Sequence, residues 1–299
     1  MKTYLAIYQG RARLLIGEIN TEGKILHSKK YETGYMNPAM TLSIIKRSLE
    51  NYITTEGWVN SRRPTSMGLG LVGAVGYQKG IELGVNWGYT ESISLSEKLA
   101  IMYEIPCHID NGINGAARAV RLWGYGKNLN NFIYLNIGEE IAVRFVREGK
   151  LIWDDWFDKI KSQTGDYTER IAGEIGFDKS ARLLRHTYST ELYIPQDEDI
   201  RVDAKEVFFL SQQGDKLCLY LVKKAVEAMS NLVVNLNQTI GPDKIILGGS
   251  MLSNGFLFSK IQKEIEKGVN HNVVKNVLLT KFNPDYIGLI GAAAIAMNK

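Results

Sequence analysis

Residues 4–19 read YLAIYQGRARLLIGEI, two apolar runs separated by a glycine and a short polar stretch. The runs at 4–8 and 13–19 are rich in the branched and aromatic residues that favour strands. After them, the polar turn TEG at 21–23 predicts a third strand from Lys24. Because two strands joined by a short polar turn form a hairpin, the chain is predicted to begin with strand, glycine turn, strand, turn and strand.

The same order of elements returns in the second half. Strand candidates at 132–137 and 141–147 precede the turn EGK at 148–150 and a further strand from Leu151. Apolar residues at helical spacing then predict helices behind both sets of strands. The predicted helices lie at 40–52, 94–103, 178–188, 204–210, 217–239, 256–266 and 287–297, and the other predicted strands at 67–75, 106–110, 244–247 and 277–280.

Composition and charge are those of a globular protein without a nucleic-acid partner. The 299 residues are 45% apolar and 23% charged, as in ordinary soluble domains, and the length suffices for two domains. The formal charge is +4, from 36 basic and 32 acidic residues, and no basic stripe with interleaved aromatic residues stands out. We therefore expect no nucleic-acid binding.

The chain also lacks the sequence features of secreted, zinc-binding and membrane proteins. Cys107 and Cys218 are too few and too far apart for a zinc site or a disulfide framework. The N-terminus has no signal-peptide pattern, and no apolar run reaches the roughly 18 residues that span a bilayer. We expect a cytoplasmic protein with reduced thiols, no zinc and no membrane partner.

Several stretches together resemble the ROK family, which is named for its repressors, open reading frames and kinases. They are, in chain order, GEINTEGKIL (17–26), GLGLVGAVGYQKGIEL (68–83), VNWGY (85–89), LSEKLAIMYEIPCHIDN (95–111), IGPDKIILGGSMLSN (240–254) and DYIGLIGAAAIA (285–296). The resemblance covers nearly the whole chain and implies the two-domain actin-like (ribonuclease H-like) α/β fold of sugar kinases. The implied N-terminal domain is 1–117, completed by the helix at 287–299, and the implied C-terminal domain is 118–286.

A kinase of this family needs a carboxylate that accepts the proton of a sugar hydroxyl, and glycine turns that let backbone N–H groups approach the ATP phosphates. A magnesium ion that bridges the phosphates completes the charge neutralisation. The resemblance implies sugar contacts at Asn86, Asn111 and Glu174. It implies nucleotide contacts at Gly10, Gly138, Gly248 and Gly249.

Both phosphate turns depart from the family's pattern. The family's Asp-x-Gly-Gly-Thr turn falls on YQGRA at 8–12, so Tyr8 replaces the carboxylate that helps to organise the metal. Its Gly-Thr-Gly-Ile-Gly turn falls on GEEIA at 138–142, which places Glu139 and Glu140 where a triphosphate would lie. Like charges in a partly desolvated site weaken binding. Since adjacent residues of an extended turn point in opposite directions, the two glutamates predict a solvated turn, and we predict no metal ligands.

The catalytic turn has lost its acid at the expected position. The family's Glu-Asn-Asp-Ala-Asn-Ala-Ala segment, whose aspartate is the base, falls on DNGINGA at 110–116. Gly112 therefore occupies the base position, and Asp110 precedes it by two residues. Asp110 either serves as the base through a displaced backbone or caps the small-residue helix that follows.

The sugar-side segment is kept in part. The family's Gly-Glu-x-Gly-His falls on GEIGF at 173–177, which keeps Glu174 and replaces the histidine by Phe177. The zinc-binding cysteine cluster of many members has no counterpart in the sequence. Asn86 and Asn111 also suit turns, and Glu174 also suits a solvated position before a helix, so each has a structural alternative.

These departures favour a ROK sugar-kinase homologue with impaired catalysis that binds a sugar or related ligand in its interdomain cleft, as a homodimer. The alternative is an active, ATP- and Mg-dependent hexose or amino-sugar kinase of the glucokinase or N-acetylmannosamine kinase type, with Asp110 as its base. A third hypothesis is a transcriptional regulator of the repressor branch. Because the sequence begins at the first strand of the fold, we expect no DNA-binding domain.

Overall fold

The computed structural model of the protein describes residues 1–10, 13–34, 38–71, 81–82, 92–93, 95–139, 141–152, 169–197, 200–268 and 271–297. Contacts divide the chain into two compact units: unit 1 is Met1–Lys127 with Asp285–Lys299, and unit 2 is Asn128–Pro284. The domain bounds expected from the sequence, 1–117 with 287–299 and 118–286, stay a prediction. Within the described ranges, no helix is long and apolar enough to cross a membrane.

Strands and helices alternate along both units. The strands are β1 (Thr3–Gln9), β2 (Arg13–Asn20), β3 (Ile25–Glu32), β4 (Met67–Leu71), β5 (Ile81–Glu82), β6 (Ser92–Ile93), β7 (Cys107–Asn111), β8 (Phe132–Ile137), β9 (Ile141–Arg147), β10 (Lys150–Ile152), β11 (Lys244–Gly248) and β12 (Val277–Leu279). The helices are α1 (Pro38–Glu56), α2 (Leu95–Tyr103), α3 (Gly112–Trp123), α4 (Glu169–Ala172), α5 (Glu174–Leu184), α6 (Ala204–Gln212), α7 (Lys216–Ile240), α8 (Phe256–Gly268), α9 (His271–Lys275) and α10 (Ile287–Ala296). Short 3-10 turns lie at Val59–Ser61 and Ser250–Leu252.

Unit 1 is built on a five-stranded sheet with the order β3-β2-β1-β4-β7. β1 pairs antiparallel with β2 and parallel with β4, and β7 is parallel to β4. Side chains of β1 alternate between two clusters: Leu5 and Ile7 lie with Leu49 of α1, whereas Ala6 lies with Leu289 of α10. The central strands are thus covered on both faces, which explains their nearly continuous apolar sequence.

Unit 2 repeats this topology with the order β10-β9-β8-β11-β12. β8 pairs antiparallel with β9 and parallel with β11, as β1 does with β2 and β4. The 25-residue helix α7 begins at the N-cap Asp215, whose side chain accepts a hydrogen bond from the backbone N of Cys218 at 2.9 Å. It ends at Gly241, which has the left-handed φ of 62°. The two units share the repeat that the sequence predicts.

Helix α5 differs most from its sequence-based prediction. Predicted for 178–188, it runs from Glu174 to Leu184. Gly173 takes the N-cap position with extended backbone angles, so the helix begins about one turn earlier. Its buried residues Phe177 and Ala181 then follow each other at helical spacing. The strand predicted at 67–75 is described as β4 to Leu71, and the residues after it lie outside the described ranges.

Helix α10 meets β4 and α3 at glycines. A Cβ atom on Gly291 would lie 2.7 Å from the backbone N of Ala116, and one on Gly115 would lie 2.9 Å from the carbonyl carbon of Gly291. A Cβ atom on Gly68 would overlap with the carbonyl oxygen of Ala292. These are contacts between backbones, which cannot move aside as a side chain does. Helix α10 therefore completes the core of unit 1 through positions that tolerate no side chain.

We expect Gly68→Ala to lower the free energy of unfolding by about 3 kcal/mol, because the new methyl group would overlap with the α10 backbone. Chemical denaturation measures the change. The control is Gly268→Ala at the end of α8, where a Cβ atom meets nothing within 4 Å and the stability should change by less than about 1 kcal/mol. Equal stabilities of the two variants would contradict the packing described for α10.

Candidate functional site

The candidate site of unit 1 lies at the carboxyl ends of the parallel strands β1, β4 and β7, where open α/β sheets bind ligands. Tyr8 of β1 is the register partner of Gly70 in β4, and Gly70 is that of Asp110 in β7. A Cβ atom on Gly70 would lie 3.6 Å from Gly112 Cα in α3 and 3.7 Å from Ala292 Cβ in α10. Since register partners project to the same face, Tyr8 and Asp110 point toward these two helices.

Asp110 is buried, and its carboxylate is surrounded by donors. Oδ1 accepts hydrogen bonds from the backbone N of Asn111 at 2.6 Å and from Asn114 Nδ2 at 2.8 Å. Arg118 Nη2 lies 3.5 Å from Oδ2. Burial raises the pKa of Asp110, although Asn114, Arg118 and Asn111 act in the opposite direction. The carboxylate thus links the end of β7 to α3 through hydrogen bonds.

The cap of α3 is Asn111 and not Asp110. β7 continues through Asn111, whose backbone is extended and whose Oδ1 accepts a hydrogen bond from the backbone N of Ile113 at 2.8 Å. The alternative in which Asp110 caps the helix is wrong, because the helix begins at Gly112 and the cap is the residue before it. The sugar contact expected of Asn111 stays a prediction.

The ring of Tyr8 fills the space beside Gly112. A Cβ atom on Gly112 would lie 2.8 Å from Tyr8 Cε2, and one on Gly288 would lie 2.6 Å from three carbons of the ring. A Cβ atom on Gly70 would lie 3.4 Å from Tyr8 Cδ2. We call this enclosure, formed by Gly70, Gly112 and Gly288, the Tyr8 slot. A side chain at position 112 would therefore collide with the ring.

The candidate site of unit 2 lies at the carboxyl ends of β8 and β11. Three of the four glycines expected to approach a nucleotide meet here, and contacts with the chain's own atoms restrict their side chains. A Cβ atom on Gly138 would lie 3.0 Å from Ser250 Oγ, and one on Gly248 would lie 2.6 Å from the Tyr134 hydroxyl. Gly249 has a φ of 111°, which L side chains rarely adopt. Their nucleotide contacts stay a prediction.

Glu174 joins this group from the start of α5. Its backbone N donates to the carbonyl oxygen of Gly138 at 3.0 Å, and its Oε1 accepts a hydrogen bond from Ser250 Oγ at 2.6 Å. Phe177, at the family's histidine position, is fully buried, and its ring centroid lies 5.8 Å from that of Phe208. Phe177 thus belongs to the core, whereas the sugar contact expected of Glu174 stays a prediction. Sequence reasoning missed Ser250, although it directly follows the glycine pair.

Glu139, in the turn after β8, forms an ion pair. Arg201 Nη1 lies 2.6 Å from Glu139 Oε1, and the two side chains are 22% and 30% exposed. The solvated turn predicted from the sequence stays a prediction for Glu139, whose carboxylate is partly exposed and accepts a charge-assisted hydrogen bond. The two residues are 62 positions apart in the chain, and no sequence pattern singled out Arg201.

Two residues discussed from the sequence, Asn86 and Glu140, lie outside the described residues. Gly10 follows β1, and its backbone N donates to the carbonyl oxygen of Arg13 at 2.9 Å. This bond closes the turn between β1 and β2. The expected phosphate contact of Gly10 stays a prediction.

The end of β1 lacks a carboxylate that could hold the magnesium ion of a bound nucleotide. Mg²⁺ takes oxygen ligands, carboxylates foremost, and β1 ends at Tyr8 and Gln9 without a carboxylate. Over the ranges that the structure describes, no group of three or more His, Cys, Asp and Glu side chains is placed to hold a metal ion. After β8, Glu139 adds a negative charge, which is paired with Arg201.

The chain is similar to proteins described as glucokinases and as other ROK family proteins. A glucokinase of Thermotoga maritima is 22% identical over 307 aligned residues, which cover 96% of this chain and 94% of that enzyme. A ROK family glucokinase from Streptomyces griseus, solved in complex with glucose and AMPPNP, is 16% identical with a TM-score of 0.76 over 99% of this chain and 100% of that one. A ROK family protein from Streptococcus pneumoniae TIGR4, solved in complex with sucrose, is 18% identical with a TM-score of 0.75 over 99% and 98% of the two chains.

The structural likenesses confirm the predicted two-domain actin-like α/β fold. The sequence profile of the ROK family matches residues 4–153 and 168–299, which is nearly the whole chain. This protein therefore belongs to the ROK family.

Proposed function

We propose that this protein binds a sugar without transferring a phosphoryl group to it at ordinary kinase rates. The observation that carries the proposal is the Tyr8 slot, in which an aromatic ring lies where Gly112 has no side chain. By the family resemblance, position 112 is that of the base. A sugar hydroxyl attacks the phosphoryl group efficiently only if a positioned group accepts its proton.

Asp110 does not replace the missing base. A general base must lie within hydrogen-bond reach of the hydroxyl, whereas the carboxylate of Asp110 points toward α3 and is buried there. Turning it outward would cost its hydrogen bonds with Asn114 and Arg118. We therefore assign Asp110 a structural role.

Sugar binding is supported by the polar residues that remain in the resembling segments. Glu174 keeps its carboxylate, whose Oε1 is already oriented by Ser250, and a carboxylate accepts several hydrogen bonds. The relatives solved with glucose or with sucrose bind uncharged sugars on this fold. We further propose a cytoplasmic homodimer without nucleic-acid or membrane partners, as expected from the sequence.

With Mg-ATP and a panel of glucose, N-acetylmannosamine and other hexoses, we expect turnover at least about a thousandfold below the 1–100 s⁻¹ of ordinary kinases. A coupled ADP-release assay measures the rate, with an active ROK family glucokinase as the positive control. The physical reason is the absence of a base at Gly112. Turnover at ordinary rates that is abolished by Asp110→Asn would overturn the proposal and establish Asp110 as the base.

We expect Gly112→Ala to destabilise the protein by about 2 kcal/mol, because the methyl group would meet the Tyr8 ring. In a Tyr8→Ala background the same change should cost less than about 1 kcal/mol, since the ring is gone. Chemical denaturation of the wild type, the two single variants and the double variant gives the coupling energy between positions 8 and 112. Equal costs of Gly112→Ala in both backgrounds would show that the ring does not occupy this space.

Glucose, N-acetylmannosamine or sucrose should bind without nucleotide and raise the melting temperature, since a ligand of the folded state stabilises it. Glu174→Gln should weaken that binding about tenfold, because a hydrogen bond to a charged acceptor is lost. Titration calorimetry measures the affinity, and Glu266→Gln on the exposed face of α8 is the matched control. If no sugar of the panel produces heat or a thermal shift, the proposed binding is wrong.

A further inference from the structure

The ion pair between Glu139 and Arg201 lies at the end of unit 2's parallel strands. Gly138 and Glu139 follow β8, β9 begins at Ile141, and Arg201 Nη1 lies 2.6 Å from Glu139 Oε1. A guanidinium at such a turn is suited to a phosphate, which it can bind through two parallel N–H donors. Here the carboxylate of Glu139 accepts a hydrogen bond from the guanidinium of Arg201 instead.

The backbone on either side of Arg201 is hydrogen-bonded to side chains of α5. Arg182 Nη2 donates to the carbonyl oxygen of Ile200 at 2.7 Å, and Asp178 Oδ1 accepts a hydrogen bond from the backbone N of Val202 at 3.0 Å. Asp178 and Arg182 are themselves paired at 3.1 Å on α5. The backbone on both sides of Arg201 is thus fixed, so its ion pair loses less conformational entropy than one between two mobile surface side chains.

The partner of Arg201 is fixed by the same helix. The first residue of α5, Glu174, donates its backbone N–H to the carbonyl oxygen of Gly138, directly before Glu139. Helix α5 therefore positions the turn through Glu174 and the arginine through Asp178 and Arg182. This shared support distinguishes the ion pair from a chance contact on the surface.

We infer that Glu139 acts as an internal substitute for a phosphate, which neutralises Arg201 and excludes nucleotide polyphosphates from this turn. A diphosphate or triphosphate would have to displace the carboxylate or lie beside a like charge, and either one weakens binding. The site consequently selects uncharged ligands. The inference deepens the proposed function and rests on it for the identity of that ligand as a sugar.

Titration calorimetry with ADP and, separately, with inorganic pyrophosphate tests the inference. We expect no measurable binding of either probe to the wild-type protein. Glu139→Gln keeps the side-chain length, removes the negative charge and leaves Arg201 available. The affinity of this variant for pyrophosphate should therefore be at least about tenfold higher than that of the wild type. Added salt should lower the affinity of the variant. The double variant Glu139→Gln with Arg201→Gln should lose this gain, and Glu266→Gln should behave as the wild type.

Three results would overturn the inference: binding of ADP by the wild type, no gain in Glu139→Gln, or a gain that persists without Arg201. Thermal denaturation checks that each variant is folded, and Glu139→Asn replaces Glu139→Gln if the latter is not. The sugar-induced shift in the melting temperature of the wild type is measured separately, without nucleotide. Failure of the proposed sugar binding is thereby distinguished from failure of this inference.

Discussion

The aromatic ring of Tyr8 lies at the end of β1 only because Gly70, Gly112 and Gly288 present no side chain to it. Gly112 begins α3 and Gly288 lies in the first turn of α10, so one ring packs against the starts of two helices. An acid at position 112 requires that the ring be removed, and removal of the ring leaves a cavity. A side chain at position 112 therefore requires a second substitution, at Tyr8.

In unit 2, glycine-rich turns have a structural explanation that does not involve a ligand. The hydroxyl of Tyr134 lies close to Gly248. The hydroxyl of Ser250 lies close to Gly138 and donates a hydrogen bond to Glu174. Such glycines are retained as long as the surrounding side chains are, whether or not a nucleotide binds. A glycine pattern alone is therefore weak evidence for phosphate binding. The charged side chains beside the glycines are stronger evidence for or against it.

Much of the fold follows from local sequence. The buried strands β1 and β8 are recognisable from their apolar composition, and helices such as α7 are recognisable from their spacing, because both patterns reflect which faces are covered. The start of α5 was missed since a glycine N-cap carries little sequence signal. Asp110 was not identified as the anchor of α3, because its role depends on Asn114 and Arg118 in three dimensions.

The candidate site was less predictable than the fold. The family resemblance predicts that Gly112 is at the base position and that Tyr8 replaces a carboxylate, but only packing shows that the Tyr8 ring lies against Gly112. The pairing of Glu139 with Arg201 joins residues far apart in the chain, and it depends on how α5 holds both. Long-range electrostatic contacts of this kind leave no periodic pattern in the sequence.

The position of α10 has a consequence for how the protein is made. On the ribosome, residues 128–284 of unit 2 emerge before α10, whereas Tyr4 and Ala6 of unit 1 need α10 to cover them. Since domains fold as they emerge, unit 2 has all of its chain available first, and the sheet of unit 1 waits with one apolar face uncovered. Unit 1 can thus complete its core only after α10 has been synthesised.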